Sequence, residues 1–428
     1  PQPYMITFLN KLFLKSKNFD YIYLAFQKLS QETEVKKIFK AIEEFSDTSE
    51  IRYVGGCVRK ILKHEEVDDI DLAVNLKPAE VSKILEANNI KFYDTGIEHG
   101  TITAIINQKT FEITSLREDI STDGRHAKIK FSNDWSLDSS RRDFSINSIY
   151  ADLNGNLFDP FNGKNDLENG EVKFIGDPEK RIKEDYLRIL RYVRFFLNYS
   201  NNNHNTDVTN SIKKNLNGFA NISSERLLDE FRKLIKSKGF AKLTKDSFCS
   251  EIINLIFPQF KEINIFNNLN VNKKKIFNKL DFIMLIALMV IDGSDNVEYF
   301  LYKFNLSKND QKRLKFLNNF FSIKINKKTF SEANLWKIFY KSGKQFLLDL
   351  LNFELFRSKK MEKQLLVMIK LFEDKNPPKF PVKAKTLMTK YNIPEGEKLG
   401  LNLKAIEQKW VDNNFKISDK EIDKIVLD

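Results

Sequence analysis

The chain has little cysteine and no long apolar run. Cys57 and Cys249 are the two cysteines among 428 residues, and they lie far apart among apolar neighbours. Their spacing matches neither a disulfide framework nor a metal-binding motif, so the reducing cytoplasm is the expected location. The longest apolar run, residues 282–291, is too short to cross a bilayer and predicts a buried helix. Residues 5–11 lack the apolar stretch of a secretory signal, so no membrane association is expected.

Positive charge, in contrast, is in excess. The sequence has 70 Lys and Arg residues against 58 Asp and Glu residues, a net charge of +12. This excess indicates a polyanionic partner such as RNA, although a composition rich in Lys and Asn can equally reflect genomic base bias. With 42% apolar residues, the chain is long enough to build two or more domains.

The hydrophobic pattern changes along the chain. Residues 22–48 have the apolar spacing of an amphipathic helix, and residues 78–88 predict another. After residue 178 strand signals almost vanish, and helical periodicity continues through 180–198, 222–237 and beyond. The sequence therefore predicts a mixed α/β head followed by helices. Short β-rich runs lie at Arg52–Val54, Asp69–Val74, Thr101–Ile106, Thr110–Ser115 and Lys128–Phe131.

Two aspartates one residue apart, Asp69 and Asp71, follow the turn Gly55-Gly56 and Arg59. Residues i and i+2 of a strand share a face, so both carboxylates can converge on one hard cation. Mg²⁺ takes such ligands together with substrate phosphates, which makes the pair suited to nucleotidyl transfer. The glycines would let the backbone approach the phosphates, with Arg59 as a further donor. Solvated carboxylates at an ordinary strand end give the same pattern.

Five ordered segments resemble the motifs of the class II tRNA nucleotidyltransferase and bacterial poly(A) polymerase family. The glycine–aspartate segment resembles motif A, and the resemblance runs densely from about residue 53 to residue 235. It returns more faintly near residues 394–410. The other four segments are residues 141–150 (Arg-Arg-Asp-Phe-Ser-Ile-Asn, like motif B), 159–178 (motif C), 184–191 (Glu-Asp-Tyr-Leu-Arg, motif D) and 224–226 (the start of motif E).

The resemblance implies an α+β fold, with a polymerase-beta-like mixed α/β nucleotidyltransferase head followed by an all-helical neck, body and tail. The implied boundaries are residues 22–155 for the head, 156–240 for a neck that recognises the base, and 241–428 for a body and tail that bind tRNA. The implied reaction is addition of CCA to tRNA from CTP and ATP, by Mg²⁺-assisted attack of the RNA 3′-hydroxyl on the α-phosphate. The helices would grip the acceptor stem and 3′ end of tRNA by shape, in a monomer or homodimer.

The motif D segment contains a candidate base-recognition pair, Asp185 and Arg188. Cytosine and adenine each present an exocyclic amine beside a ring-nitrogen acceptor, which one Asp and one Arg satisfy together. Uracil and guanine present the opposite pattern, and each unpaired buried group costs about 1–3 kcal/mol. The resemblance assigns base recognition to this pair, oriented by Glu184 and Arg191. Helical periodicity also permits a simple surface ion pair between them at i, i+3.

Three further sets of residues carry weaker predictions. The resemblance places Arg141 and Arg142 near the triphosphate, where a guanidinium grips phosphate at two points, although a solvated basic patch is the alternative. Asp143 and Asn147 would contact the ribose or orient the arginines. Glu112 is a candidate third catalytic carboxylate, or else a solvent-facing strand glutamate.

Two segments bear on which family member this is. Residues 96–101, Gly-Ile-Glu-His-Gly-Thr, resemble an element of CCA-adding enzymes, and residues 119–131 occupy the place of the family's flexible loop. Asp123 and Arg125 resemble the loop's functional pair, with a glycine inserted, and favour addition of the terminal A; an ordinary exposed loop is the alternative. Lys60 departs from the family, which usually has Asp after Val-Arg. A poly(A) polymerase, a CC-adding or A-adding enzyme and a catalytically silent RNA-binding protein are the alternative functions.

Overall fold

A computed structural model describes residues 21–122, 127–323 and 328–427 of the chain. The chain divides into two compact units, Pro1–Ile252 and Ile253–Asp428. The first contains the sheet, and within the described residues no strand follows residue 158. The predicted α+β class is therefore confirmed. The predicted boundaries of head, neck, body and tail stay predictions.

The first unit is built on a mixed seven-stranded sheet with the order β3-β4-β5-β2-β1-β8-β9. β2 and β5 run parallel at its centre, and the other neighbours in the sheet are antiparallel. A separate ribbon pairs β6 with β7. The strands are β1 (Ile51–Val54), β2 (Ile70–Val74), β3 (Lys91–Gly96), β4 (Thr101–Ile106), β5 (Lys109–Ser115), β6 (Arg117–Thr122), β7 (Ala127–Phe131), β8 (Tyr150–Ala151) and β9 (Leu157–Phe158).

All five predicted strands are present, but β3, β6, β8 and β9 were missed. β8 and β9 are only two residues long, which is too short for an alternation of apolar and polar residues to be recognised in the sequence. The helices of this unit are α1 (residues 21–33), α2 (Lys36–Glu43), α3 (Gly56–Leu62), α4 (Pro78–Ala87), α5 (Trp135–Ser140), α6 (Gly163–Glu168), α7 (Pro178–Glu184), α8 (Leu187–Tyr199), α9 (Thr206–Lys214) and α10 (Ser224–Ile235), and α11 (Ser247–Ile256) spans the boundary between the units.

Two of the predicted helices are interrupted. The stretch 22–48 forms α1 and α2, with a break at Glu34, whose φ is +57°. The stretch 180–198 breaks between α7 and α8 at Asp185, which is extended. Apolar spacing continues across both breaks, so periodicity alone did not reveal them.

The head core lies on one face of the sheet. Ile70, Leu72 and Val74 of β2 point into it, and the rings of Phe26 (α1) and Phe39 (α2) pack 5.1 and 4.9 Å from the ring of Tyr53. Strand alternation sends Asp71 and Ala73 to the other face. On that face Asp71 lies beside a second, smaller apolar cluster formed by Val54, Ala73, Leu116 and Tyr150.

The second unit is helical throughout its described part. The ten residues 282–291, predicted as a buried helix, include its most apolar helix, α13, of which only Phe282 is not buried. Arg313 joins Asp349 and Asp281 through hydrogen bonds of 2.7 Å each. The helices are α12 (Val271–Phe277), α13 (Phe282–Val290), α14 (Asn296–Lys303), α15 (Lys308–Ser322), α16 (Glu332–Ser342), α17 (Lys344–Arg357), α18 (Glu362–Glu373), α19 (Ala384–Tyr391), α20 (Glu397–Asp412) and α21 (Asp419–Leu427).

None of the helices in the described ranges combines the length and the apolar character that a membrane span requires.

Gly163, at the start of α6, allows a close approach between two motifs. A Cβ there would lie 2.1 Å from the carbonyl oxygen of Ser145, which opens the 3-10 helix Ser145–Asn147. We therefore expect Gly163→Ala to destabilise the protein by about 1–3 kcal/mol through overpacking. Gly400→Ala is the matched control, because that helical glycine has no atom within 4 Å of an added Cβ. Thermal denaturation should show a lower Tm for the first variant only; equal Tm values would contradict the packing argument.

Candidate active site

The turn from β1 into α3 is made by Gly55, whose φ is +69° and ψ −119°. This conformation favours glycine because other residues would be strained there. A Cβ on Gly55 would lie 3.9 Å from the carbonyl oxygen of Asn147 and 4.0 Å from Nη1 of Arg142. The turn therefore faces the segment that contains Arg142 and Asn147.

Three carboxylates lie on the adjacent strands β2 and β5 or directly before β2. Asp71 of β2 is in register with Glu112 of the parallel strand β5, and Asp69 immediately precedes β2. Burial raises the pKa of Asp71, and repulsion from Glu112 and Asp69 raises it further, while Arg142 and Arg59 act in the opposite direction. The negative charge concentrated here suits a hard divalent cation.

A chain of polar contacts joins α3 to α8. Arg59, of which only 7% is exposed, donates to Oδ1 of Asn147, and Nδ2 of Asn147 donates to Asp143 at 3.0 Å. Nε of Arg191 donates to the other oxygen of Asp143 at 2.7 Å. Burial alone would raise the pKa of Asp143, but Arg191 and Asn147 outweigh it and hold that pKa well below its usual range. Asp143 and Asn147 therefore orient Arg191 and Arg59 and not the predicted Arg141 and Arg142, and their contact with the ribose stays a prediction.

The two adjacent arginines are held by a carboxylate that the sequence reasoning missed. Asp138 is 1% exposed and accepts from Nε of Arg141 at 2.9 Å, from Nη2 of Arg142 at 3.2 Å and from Oη of Tyr150 at 2.6 Å. Burial opposes ionisation of Asp138, yet the two arginines lower its pKa to about 2. Asp138 lies three and four residues before Arg141 and Arg142, a spacing that brings side chains together on a helix and could have indicated these ion pairs from the sequence.

The predicted base-recognition pair does not share a helix face. Asp185 lies in the break between α7 and α8, with φ −155° and ψ 105°, so the i, i+3 surface pair is wrong. Nη2 of Arg226 donates to Oδ2 of Asp185 at 2.7 Å, while Arg188 donates to Glu184 at 2.6 Å. Arg226, in the segment like motif E, was absent from the predicted site.

Arg191 was predicted to orient this pair, but it binds Asp143 and lies 3.7 Å from Oε2 of Glu230. The buried carboxylate of Glu230 also accepts from Nε of Arg194. Glu184 does contact Arg188, as expected. Arg191 therefore connects α8 with the polar chain that leads to Arg59.

The loop pair and Lys60 remain from the sequence, and Arg117 begins β6. Asp123 and Arg125 lie outside the described residues, so their roles stay predictions. Lys60, the departure from the family pattern, forms an ion pair with Asp68. Arg117 donates to the carbonyl oxygen of His99 and lies 3.5 Å from Asp119.

Within residues 21–122, 127–323 and 328–427, only one group of three His, Cys, Asp or Glu donors has its ligand atoms within 4.8 Å of one another: His204, Asp246 and Cys249. Asp69, Asp71 and Glu112 do not meet this distance criterion. Glu112 as a third catalytic carboxylate therefore stays a prediction.

Comparison with known proteins gives the following relatives. The model of the Poly A polymerase head domain family matches residues 51–173. A mouse (Mus musculus) protein, mitochondrial CCA tRNA nucleotidyltransferase 1, is 30% identical over 430 residues, which cover 94% of this chain and 93% of its own. The CCA-adding enzyme of Staphylococcus haemolyticus is 30% identical over 323 residues, covering 74% of this chain and 76% of its own.

Solved structures show the same fold. The Bacillus stearothermophilus CCA-adding enzyme in complex with CTP superposes with a TM-score of 0.65 at 21% identity, covering 89% of this chain and 93% of that one. The Thermotoga maritima CCA-adding enzyme complexed with tRNA superposes with a TM-score of 0.56 at 19% identity, covering 91% of this chain and 93% of that one.

The raised pKa of Asp71 predicts that its ionised form destabilises the metal-free fold. The penalty is absent below the ordinary pKa of 3.8 and is complete once the pH exceeds the raised folded-state pKa. At pH 7 without metal, Asp71→Asn should therefore raise Tm by roughly 2–4 °C, the shift that about 1 kcal/mol produces in a domain of this size.

Asp68→Asn is the matched control, because the pKa of Asp68 is lowered by Lys60 in spite of partial burial. Its Tm should not rise. Scanning calorimetry with and without Mg²⁺ measures both variants, and Mg²⁺ should raise Tm in the wild type more than in Asp71→Asn. A lower Tm for Asp71→Asn would contradict the argument that burial and like charge destabilise the ionised carboxylate.

Proposed function

The chain belongs to the family of CCA-adding tRNA nucleotidyltransferases, and we propose that it adds CCA to the 3′ end of tRNA from CTP and ATP without a template. The observation that carries the proposal is the match to the mouse enzyme over 94% of this chain. Relatives crystallised with CTP, with ATP and with tRNA supply the same substrate set. A divalent metal is typical of this family.

Asp69 and Asp71 are the proposed ligands of Mg²⁺. Their donors are hard carboxylate oxygens, and the pKa of Asp71, raised by burial and then by Glu112, indicates local negative charge that a cation would relieve. When bound, the metal would lower the pKa of the attacking 3′-hydroxyl and neutralise charge on the departing pyrophosphate. Glu112 would add negative potential at this edge of the sheet.

The triphosphate would lie between the glycine turn and the paired arginines. A Cβ added to Gly55 would lie 4.0 Å from Nη1 of Arg142. The guanidinium and the glycine turn therefore line the same space. Asp138 holds Arg141 and Arg142 in place before substrate arrives, which lowers the entropy lost on binding phosphate. Arg59, Gly56, Asp143, Asn147 and Arg191 complete the proposed nucleotide site.

Asp185 and Arg188 are the proposed readers of the incoming base. In the described conformation each already has a protein partner, Arg226 for Asp185 and Glu184 for Arg188. These partners fix the direction of the carboxylate and the guanidinium while leaving further donor and acceptor positions for a base. Arg226 is therefore a proposed positioning residue for Asp185.

The remaining assignments follow the same reasoning. We propose the head at residues 22–155, the base-recognising neck at 156–240 and the tRNA-binding body and tail at 241–428. The net charge of +12 supports phosphate contacts along the acceptor stem. We propose action in the cytoplasm as a monomer or homodimer.

Replacing a base reader should relax the choice of nucleotide. Asp185→Ala removes the acceptor for the exocyclic amine, so discrimination of CTP over UTP should fall by roughly 5- to 150-fold, the equivalent of about 1–3 kcal/mol. Single-nucleotide incorporation into tRNA with each of the four nucleotides measures this. Asp229→Ala, an exposed aspartate on α10, is the control. A slower reaction with unchanged selectivity would make Asp185 a purely structural residue.

The product length tests the proposed activity itself. tRNAs that end at the discriminator base, at C or at CC are incubated with CTP, with ATP or with both. Completion of CCA on all three supports the proposal, whereas CC products, a single A, or long A tails identify the partial enzymes and the poly(A) polymerase.

The same assay tests the loop pair. If Asp123 and Arg125 reshape the base pocket from C to A, their double replacement by Ala should leave CC addition near normal and stall the final A, because only the second pocket state loses population. Equal loss of both steps, or of neither, would return the segment to an ordinary loop.

A further inference from the structure

His204, Asp246 and Cys249 form a compact polar cluster outside the proposed active site. His204 follows α8, Asp246 lies between the 3-10 helix Lys238–Lys245 and α11, and Cys249 is in the first turn of α11. All three belong to the first unit. Cys249 shows no metal-ligand pattern in the sequence, because His204 lies more than forty positions away in the chain.

The three donors converge on one point. Nε2 of His204 is 3.0 and 3.1 Å from the two carboxylate oxygens of Asp246 and 3.9 Å from Sγ of Cys249. Every ligand atom of the group is within 4.8 Å of the others. Ligands bonded at about 2.0–2.3 Å to one tetrahedral zinc ion are separated by distances of this size.

The arrangement does not suit a nucleophilic thiol. In a Cys-His-Asp relay the thiol and the carboxylate bind opposite nitrogens of the imidazole. Here both face Nε2, and Nδ1 is 2.9 Å from Oη of Tyr192. The carboxylate therefore competes with the thiol for one nitrogen and does not orient the ring for it.

We propose that His204, Asp246 and Cys249 bind a Zn²⁺ ion that is separate from the metal of the active site. Imidazole and thiolate are ligands that zinc prefers and Mg²⁺ avoids. His204 is 15% exposed and Asp246 22%, so the site is accessible to a solvent ligand in the fourth position.

The surroundings fit a bound metal ion. Metal at Nε2 requires the proton on Nδ1, where Tyr192 Oη accepts it, and such a partner fixes the tautomer and the ring orientation. Phe196 stacks on the imidazole at 3.6 Å between ring centroids. The amide of Cys249 donates to Oδ1 of Asp246 at 2.8 Å, which orients the carboxylate. Binding releases the thiol proton to solvent and leaves neutral imidazole, carboxylate and thiolate as ligands.

The ion would connect the end of α8 to the start of α11. α8 carries Arg188 and Arg191, so the site would stabilise the helix that presents the base-recognition residue without touching the substrate. Because the ion would hold α8 in place without contacting the substrate, removal of zinc should lower stability more than nucleotide selectivity.

Metal analysis of the full-length protein tests the proposal directly. Protein dialysed against Zn²⁺ and then against buffer should retain about one zinc per chain by mass spectrometry of the metal. Cys249→Ala should lower the bound zinc by about 10-fold or more, because even the loss of a residue that only supports a metal ligand lowers metal affinity by about that factor. Cys57→Ala is the matched control, since Cys57 is an equally buried cysteine that belongs to no such group of three donors. Asp69→Ala should retain zinc and thereby separates this site from the active site.

Co²⁺ substitution of the wild type provides a second readout that does not depend on how the variants fold. A thiolate-to-cobalt charge-transfer band with tetrahedral d–d absorption is expected, and Zn²⁺ should abolish it. Retention of no zinc by the wild type, a cobalt spectrum without the thiolate band, or equal zinc in the Cys249→Ala and wild-type proteins would each overturn the proposal and leave the cluster as a partly buried hydrogen-bond network.

Discussion

The ion pair between Asp143 and Arg191 is the interaction on which the site depends. Asp143 is 8% exposed, and a buried carboxylate that loses its partner costs about 3–5 kcal/mol. Through Asn147 the same carboxylate reaches Arg59 beside the glycine turn, and through Arg191 it reaches Glu230 on α10. A single buried charge thus holds the sheet edge, the arginine segment and the base-recognition helix in one arrangement.

Asp71, unlike Asp143, has a raised pKa. There burial and the neighbouring carboxylates raise the pKa, so the ionised group destabilises the metal-free fold. Asp138, which is more deeply buried than Asp71, has a lowered pKa because two arginines and a tyrosine hydroxyl surround it. The contrast separates a carboxylate that organises the protein from one that is available to a cation.

Lys60 shows how a departure from the family pattern is accommodated. The ammonium group pairs with Asp68, the residue before Asp69, and thus adds a positive charge near the proposed metal ligands. Both members of the pair are partly solvated, so water and salt reduce its influence. The substitution therefore leaves the Asp69 and Asp71 pair intact.

The sequence by itself determined five of the described strands, the glycine turn, the aspartate pair and the order of the motifs, because each depends on local periodicity or on residues close in the chain. It also determined the buried helix at residues 282–291. It did not reveal the break at Asp185, since apolar spacing continues from α7 into α8. Only the tertiary structure decided that Arg226 binds Asp185, that Asp143 binds Arg191, and that His204 meets Asp246 and Cys249. Those partners lie some 40 positions apart in the sequence. Contacts between residues so far apart in the chain depend on how the helices pack, which a local sequence pattern does not predict.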